Sequence, residues 1–324
     1  MKRQYFCIKA FLKNLRIMKK ILIIKHGAFG DIVLSLHAIF SIRAHFKNCE
    51  ITVLTESKYT DFFRKITFIK NIKIDNRKKF YYFLFFFKFI FWFYKEKFDW
   101  VFDLQTSRRT NNYYYLFSLF SNFYWSGIAK SCSHPHLGEQ RVKLHTIERH
   151  KEQLKIAGIN KFKEIEWSFF YRDLSYIKLP KNYAIIVPGG SIGRPEKRWA
   201  LNNFKKIMKH LFNKNIISII IGGKDELILL DELTEETKIS INLIGKTNLV
   251  DLVSLAKKAA FIIGNDTGPM HLLSASSSGS VCKIILFGSD SNPNLCAPVG
   301  NNVNIIQKKL INDINVSDVT RLIN

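Results

Sequence analysis

Short apolar runs alternate with helix-length amphipathic stretches along most of the chain, and almost every run is closed by glycine or a charged residue. Ile21-Leu22-Ile23-Ile24 is the first run, closed by Lys25-His26-Gly27. Its length and composition predict a buried strand. Asp31 to His45 follows, apolar at Ile32, Leu36, Ile39 and Phe40, which is one face of a helix. Glu50 to Leu54 and Trp100 to Leu104 predict two further strands.

The pattern restarts after a polar, irregular stretch. Tyr183 to Val187 predicts a strand ending at Pro188-Gly189-Gly190, and Leu201 to Phe212 an amphipathic helix. Ile216 to Ile221 predicts a strand ending at Gly222-Gly223, Asp225 to Thr237 a charged helix, and Leu243-Ile244-Gly245 a short strand. Leu249 to Ala260 reads as a helix, and Phe261-Ile262-Ile263 and Lys283 to Phe287 as strands. Strands alternating with helices give βαβ units, hence an α/β fold with mainly parallel sheets. The halves meet near residues 173 to 181, and we set the domains at 18–176 and 177–324. Residues 1–17 read as a non-essential leader, since Met18-Lys19-Lys20 directly precedes the first strand. That leader carries five basic and no acidic side chains but lacks the h-region and cleavage site of a secretory signal.

Residues 80–94 break the pattern with an almost unbroken aromatic run interrupted by Lys88. As a helix it spans roughly 22 Å, short of the ~30 Å hydrocarbon core of a bilayer. Two readings stand: an interfacial helix with its rings at headgroup depth, or a core helix packed on a sheet.

Charge and cysteine content narrow the classes. The 324 residues include 50 basic and 26 acidic side chains, a formal charge of +24, so an anionic partner has to be considered. The basic residues are spread along the chain, as compositional drift would give, and no helix-turn-helix or RNP pattern accompanies them. Nucleic acid is therefore not the expected partner. Five scattered cysteines without Cys-x-x-Cys argue against a disulfide framework or zinc site and suit a reducing compartment.

The chemistry-bearing residues fall where predicted strands end, the edge at which open α/β sheets bind ligands. Gly264-Asn265-Asp266-Thr267-Gly268-Pro269-Met270-His271 reads as strand, turn and helix start, with backbone N–H groups aimed at an anion such as phosphate. The spacing of Asp266 and His271 is open to a hydrolytic-dyad reading, but no Gly-x-Ser-x-Gly elbow is present. Gly189, Gly190 and Ser191 open a glycine-rich loop that continues into Arg194, Lys197, Arg198 and Trp199. Lys197 is the best placed of these to sit against a leaving diphosphate. Asp225 and Glu226 follow a strand and either receive ribose hydroxyls or start a helix. Gly30 allows a tight turn and close substrate approach, and Asp31 is either a helix cap or a general base. Asp103 and Gln105 end another strand, and Arg108 and Arg109 either grip an acidic acceptor or form a basic loop. No Asp-x-Asp or His/Cys cluster supports a metal.

Taken in order, Gly30-Asp31, Asp103-Leu104-Gln105, the Pro188 to Trp199 loop, Gly222-Gly223 with Asp225-Glu226, Asn265 to His271 and Leu286 to Asp290 resemble glycosyltransferase family 9, the ADP-heptose:lipopolysaccharide heptosyltransferases. The resemblance runs from about Lys20 to about Pro298. It implies a GT-B fold, with the acceptor on the N-terminal Rossmann-like domain and the nucleotide-sugar on the C-terminal one across a central cleft. It also implies metal-independent, cofactor-free, inverting transfer from an ADP-sugar to a lipopolysaccharide-core saccharide. The place implied is the cytoplasm, peripherally at the inner face of the cytoplasmic membrane. Carried over, Asp31 is the general base and Lys197 the cation at the diphosphate. Gly189, Gly190, Ser191, Glu226, Asp266, Thr267, Gly268 and His271 bind the donor. Gly30, Gln105, Arg108 and Arg109 are placed on the acceptor side. Alternatives are a GT-B enzyme with another nucleotide-sugar, a basic nucleic-acid-binding protein and a non-catalytic membrane-associated α/β protein.

Overall fold

The computed structural model describes residues 19–77, 83–190, 193–227, 231–234 and 239–323. The leader and the start of the aromatic run lie outside them. Two compact units result, one of residues up to Gly27 together with Ser35–Ile165, the other of Ala28–Leu34 with Glu166–Asn324.

In the first unit the run after Met18 forms β1 (Lys19–Ile24), and its last four side chains are fully buried. It is flanked by parallel β2 (Cys49–Thr55) and β4 (Trp100–Asp103). A strand buried on both faces needs a continuous apolar sequence, which is why these were legible. The helix after β1, α1 (Phe29–His45), starts two residues before the expected Asp31 and is buried along most of its length, Ser35 and Ser41 included. The edge strands were not foreseen. They are β3 (Ile69–Ile74) and the two-residue β6 (His134–Pro135), whose burial is partial, so sequence pattern marks them weakly. The short interior strand β5 (Tyr124–Gly127), buried at its last three residues, was not foreseen either.

The aromatic run forms α2 (Phe83–Glu96), which packs with α3 (Arg108–Ser118) over the sheet. Phe86, Phe89 and Phe93 are buried in a cluster with Tyr113, Phe117 and Trp125. The Phe93 and Phe117 rings stack at 3.8 Å. The core reading therefore holds for one face of this helix. Among the described residues no helix is long and apolar enough to cross a membrane.

The second unit is built from β7 (Tyr183–Val187), α5 (Leu201–Asn213), β8 (Ile217–Ile220), β9 (Ser240–Asn242), α6 (Leu249–Ala256), β10 (Phe261–Asn265), α7 (Gly268–Ser276), β11 (Cys282–Phe287) and β12 (Val303–Gln307), α4 (Thr146–Ile156) belonging to the first. The strand expected at Leu243–Gly245 lies three residues earlier, as β9. Leu243 and Ile244 are buried as turn residues leading to Gly245 at φ +70°, so their apolar character reports burial rather than strand. The charged helix expected over Asp225–Thr237 is a 3-10 turn at Lys224–Glu226 and a single turn at Asp231–Thr234, with the remainder partly outside the described residues.

The sheets run β3-β2-β1-β4-β5-β6 and β12-β11-β10-β7-β8-β9, parallel throughout. Counted from the first strand of each unit, both have the order 3-2-1-4-5-6 of a doubly wound Rossmann sheet. The chain thus repeats a topology without repeating a sequence. In each sheet the order reverses between the first and fourth strands, β1/β4 and β7/β10. The motifs singled out above leave the sheets at those two points.

Candidate functional site

At the β7/β10 switch point the fully buried Asn265 ends β10 and fastens three loop positions. Its Nδ2 donates to the carbonyls of Pro188 (2.7 Å) and Gly189 (3.1 Å), and its Oδ1 accepts the Trp199 N–H at 3.2 Å. One amide thereby fixes both ends of the glycine-rich loop, using both of its donors and one of its two acceptor lone pairs. Trp199 is buried and donates its indole N–H to the Ile314 carbonyl at 2.9 Å. Asn265 was quoted in the motif but not expected to matter by itself.

Glu226 braces the same loop. Its carboxylate accepts the N–H of Gly190 at 2.6 Å and that of Gly223 at 2.7 Å. A Cβ on Gly189 would fall 2.0 Å from Glu226 Oε1, so a side chain there would push the bracing carboxylate aside. Pro188, Gly189, Arg198, Trp199, Ala200, Leu201 and Glu226 enclose a cavity of about 220 Å³. Arg198 Nη2 donates to the Gly190 carbonyl at 2.8 Å. Ser191 lies outside the described residues, and of Asp225 only the backbone is described.

Asp266 and Thr267 carry the chain from β10 into α7. Lys197 Nζ lies 3.3 Å from Asp266 Oδ2 and also bonds Ser291 Oγ. His271 Nε2 is 3.6 Å from Asp266 Oδ1. Burial pushes the Asp266 carboxyl up, but His271, Lys197 and Ser291 outweigh it and hold it below the usual carboxylate range. The side chains of all three residues are at most 14% exposed. Thr267 Oγ1 and His271 Nδ1 are buried and take no hydrogen bond among the described residues. The first turn of α7 also offers N–H groups without intrahelical acceptors.

The start of α1 groups with this unit. A Cβ on Gly30 would lie 2.7 Å from the His271 ring, and one on Gly268 3.0 Å from Phe29 Cβ. These two glycines let the first turns of α1 and α7 touch. Asp31 is the next residue, half-buried, and its carboxylate enters no hydrogen bond or ion pair among the described residues. It is not spent as a helix cap.

In the first unit, Gln105 Oε1 accepts the N–H groups of His26 (3.0 Å) and Gly27 (3.3 Å), bracing the turn after β1. Arg108 opens α3 and is exposed. Arg109 is engaged within the protein: its Nε bonds the Tyr113 hydroxyl and its Nη2 lies 3.6 Å from Asp75 Oδ1. Asp75, fully buried, also receives His26 at 2.9 Å and Tyr113. Burial raises its carboxyl, yet the hydrogen bonds from His26 and Tyr113 prevail and hold it at about 2. Sequence reasoning missed Asp75 and Tyr113. The available signal was a carboxylate at the end of β3, the edge where the other motifs lie.

It also missed Arg141 and Arg149. Arg141 Nη2 donates to Thr106 Oγ1 at 2.6 Å and Arg149 Nη2 to Thr146 Oγ1 at 3.2 Å. The Nε of each is buried without a partner among the described residues. Burial lowers the Arg141 pKa, and the Arg149 charge beside it lowers it further, while Asp103 offsets part. Repulsion between two such guanidiniums is what a bound anion would relieve.

Asp103, fully buried, is pushed up to about 6 by burial, only partly offset by hydrogen bonds that include the Thr106 and Gln105 N–H groups. Its folded pKa exceeds the usual 3.8, so the stability linked to it is present at low pH and lost as pH rises from about 4 through about 6. Asp103→Asn keeps an oxygen for both N–H groups. The expected outcome is a variant whose melting temperature falls less than wild type's between pH 4 and pH 7.5. Parallel melting curves would remove this role.

Among the described residues no group of three or more His, Cys, Asp or Glu side chains is placed to hold a metal ion. A family model described as glycosyltransferase family 9 (heptosyltransferase) matches residues 117–322. The chain belongs to that family. Lipooligosaccharide heptosyltransferase 2 of Haemophilus influenzae is 30% identical over 125 residues, 37% of this chain. The alignment spans only 35% of that relative's length. The Campylobacter jejuni enzyme of the same name is 26% identical over 251 residues, covering 75% of this chain and 74% of its own. Among solved structures, the Escherichia coli ADP-heptose lps heptosyltransferase II superposes with TM-score 0.73 at 18% identity, covering 94% of this chain and 97% of that one. A family 9 glycosyltransferase from Veillonella parvula gives 0.76 at 19%, covering 94% and 96%. Escherichia coli heptosyltransferase WaaC, solved with ADP, gives 0.74 at 16%, covering 94% and 98%. The fold is theirs, GT-B, as the motifs implied.

Proposed function

We propose that this family 9 chain transfers a heptose from ADP-heptose to an acidic saccharide of the lipopolysaccharide core, with inversion at the anomeric carbon. One observation carries the reading most: the turn bearing the uncommitted Asp31 packs Gly30 against His271, beside the Asp266–Lys197 pair. Base and leaving-group cation then belong to a single unit. Asp31 takes the proton of the acceptor hydroxyl as its oxygen attacks the anomeric carbon. The bond from that carbon to the diphosphate oxygen breaks, and ADP departs with the electron pair. Lys197, the Thr267 hydroxyl and the first-turn N–H groups of α7 receive the developing charge.

Asp266 and Ser291 bond Lys197 and so hold its ammonium in position. Gly189, Gly190 and Gly268 keep backbone accessible to the diphosphate, and His271 borders the sugar. Glu226 accepts ribose hydroxyls through lone pairs left over from its two backbone bonds. Relatives described as acting on or solved with ADP-heptose-type ligands support the donor.

Nucleotide release from a donor panel tests the assignment. ADP-heptose is expected to exceed UDP-sugars by at least about tenfold in kcat/KM; preference for a UDP-sugar would overturn it. On the acceptor side, Arg141 and Arg149 with Gln105, Gly30 and exposed Arg108 are the contacts we propose, Arg109 serving instead to hold Asp75 and Tyr113. Arg141→Gln should raise the acceptor KM about tenfold or more, with donor KM unchanged. An unaltered acceptor KM would sink that role.

A further inference from the structure

The outward side of α2 is as unusual as its buried side. Phe87, Phe91 and Tyr94 fall on one stripe by their spacing and are 55%, 66% and 53% exposed. Lys88 and Lys95 flank them and are exposed too. Surface helices ordinarily present polar side chains there. The helix lies outside the 117–322 match to the family model.

We infer that this face of α2 docks on an anionic lipid bilayer. Aromatic rings beside lysines match a surface that is apolar just beneath a layer of negative headgroups. The only acidic residue of α2, Glu96, is paired with Lys20 at 3.1 Å, so it does not oppose such a surface. A second copy fits worse. A twofold interface would set the same stripe against itself and bring Lys88 and Lys95 toward their own equivalents. The 10 Å or so between Phe87 and Tyr94 along the axis lets the rings rest at headgroup depth without spanning. The inference names the surface on which a glycolipid acceptor is met, and to that extent rests on the proposed function. Lipid binding is read without sugar transfer, so the two can fail separately.

Removing the segment is no test, because Phe86, Phe89 and Phe93 on the other side are core. The test is flotation of the full chain with vesicles containing about a third phosphatidylglycerol, against pure phosphatidylcholine. Wild type is expected to float with the anionic vesicles at least about tenfold more than with neutral ones. The combined Phe87→Ser, Phe91→Ser and Tyr94→Ser variant should lose that binding at an unchanged melting temperature. Lys88→Glu with Lys95→Glu should lose it without altering any ring. Wild type failing to float, or binding surviving in both variants, would overturn the inference. So would a wild-type dimer that the triple variant converts to monomer, since the face would then cover another copy.

Discussion

Replacing Asp31 with asparagine is expected to reduce transfer by about 10²–10⁴-fold while ADP-heptose still binds within a few-fold of its original affinity. The substitution is nearly isosteric and removes only the capacity to accept a proton. Three features make the effect separable from folding. Asp31 enters no hydrogen bond or ion pair among the described residues, so no internal partner is orphaned. It stands in the first turn of α1, where asparagine loses only a modest favourable interaction with the helix dipole, about 0.3–1 kcal/mol. It is half-buried, so the amide needs no deep desolvation. Single-turnover measurement of ADP release should therefore show a lost chemical step, with donor titration by calorimetry nearly unchanged. An Asp31→Asn enzyme within about tenfold of wild type would move the base elsewhere, since a positioned general base is worth more than that. Gly30→Ala provides the control for geometry. Its Cβ would meet the His271 ring at 2.7 Å, so it should displace the turn and lower kcat with the carboxylate intact.

The central strands were legible because burial on both faces leaves no room for polar residues. Ile21–Ile24, Tyr183–Val187 and Phe261–Ile263 read as strands for that reason, and each sheet's reversal point follows from them. Edge strands obey a weaker rule. Ile69–Ile74 reads Ile-Lys-Asn-Ile-Lys-Ile with only its first residue buried, and β12 is partly exposed along its length. Pairing to one neighbour satisfies their backbone whatever the side chains are, so the sequence carries little trace of them. The aromatic run posed a choice between core and interface that composition alone left open. The helix splits the run, Phe86, Phe89 and Phe93 buried in the core and Phe87, Phe91 and Tyr94 exposed.

The site was legible where its residues are consecutive. Asn265 to His271 and Pro188 to Trp199 are contiguous stretches whose glycines and charges announce a loop at a strand end. What the sequence hid was pairing across distance. Asn265 reaches Pro188 and Trp199, Glu226 reaches Gly190, and Asp75 gathers His26 from the turn after β1 and Arg109 and Tyr113 from α3. Arg109 looked available in sequence because nothing nearby opposes its charge; its partner lies 34 positions earlier, at the end of a strand that pattern did not reveal. Arg141 sits in a short 3-10 turn without periodicity and Arg149 among the other charged residues of α4, where one more basic residue has no local reason to be noticed.

Lys197→Met should cost about 10²–10³-fold in kcat, the range seen when one preorganised donor is removed from a developing oxyanion. Methionine keeps most of the stem volume and deletes the charge. The departing diphosphate would then rely on Thr267 and the α7 N–H groups alone. The variant also leaves Asp266 with His271, at 3.6 Å, and Ser291 as its remaining partners. Because burial favours the neutral carboxyl and Lys197 is one of the groups opposing it, the Asp266 pKa should move upward in the variant. The wild-type carboxyl is held below its usual value, so its contribution to stability is present above about pH 4 and disappears only as pH falls through the lowered value. In Lys197→Met that loss should begin at higher pH, visible as an earlier acid-side fall in melting temperature. Activity and acid stability thus report on one ammonium by separate routes. A variant with lost turnover and an unshifted acid limb would keep Lys197 in catalysis but break its pairing with Asp266. Normal turnover would remove it from the leaving-group role altogether.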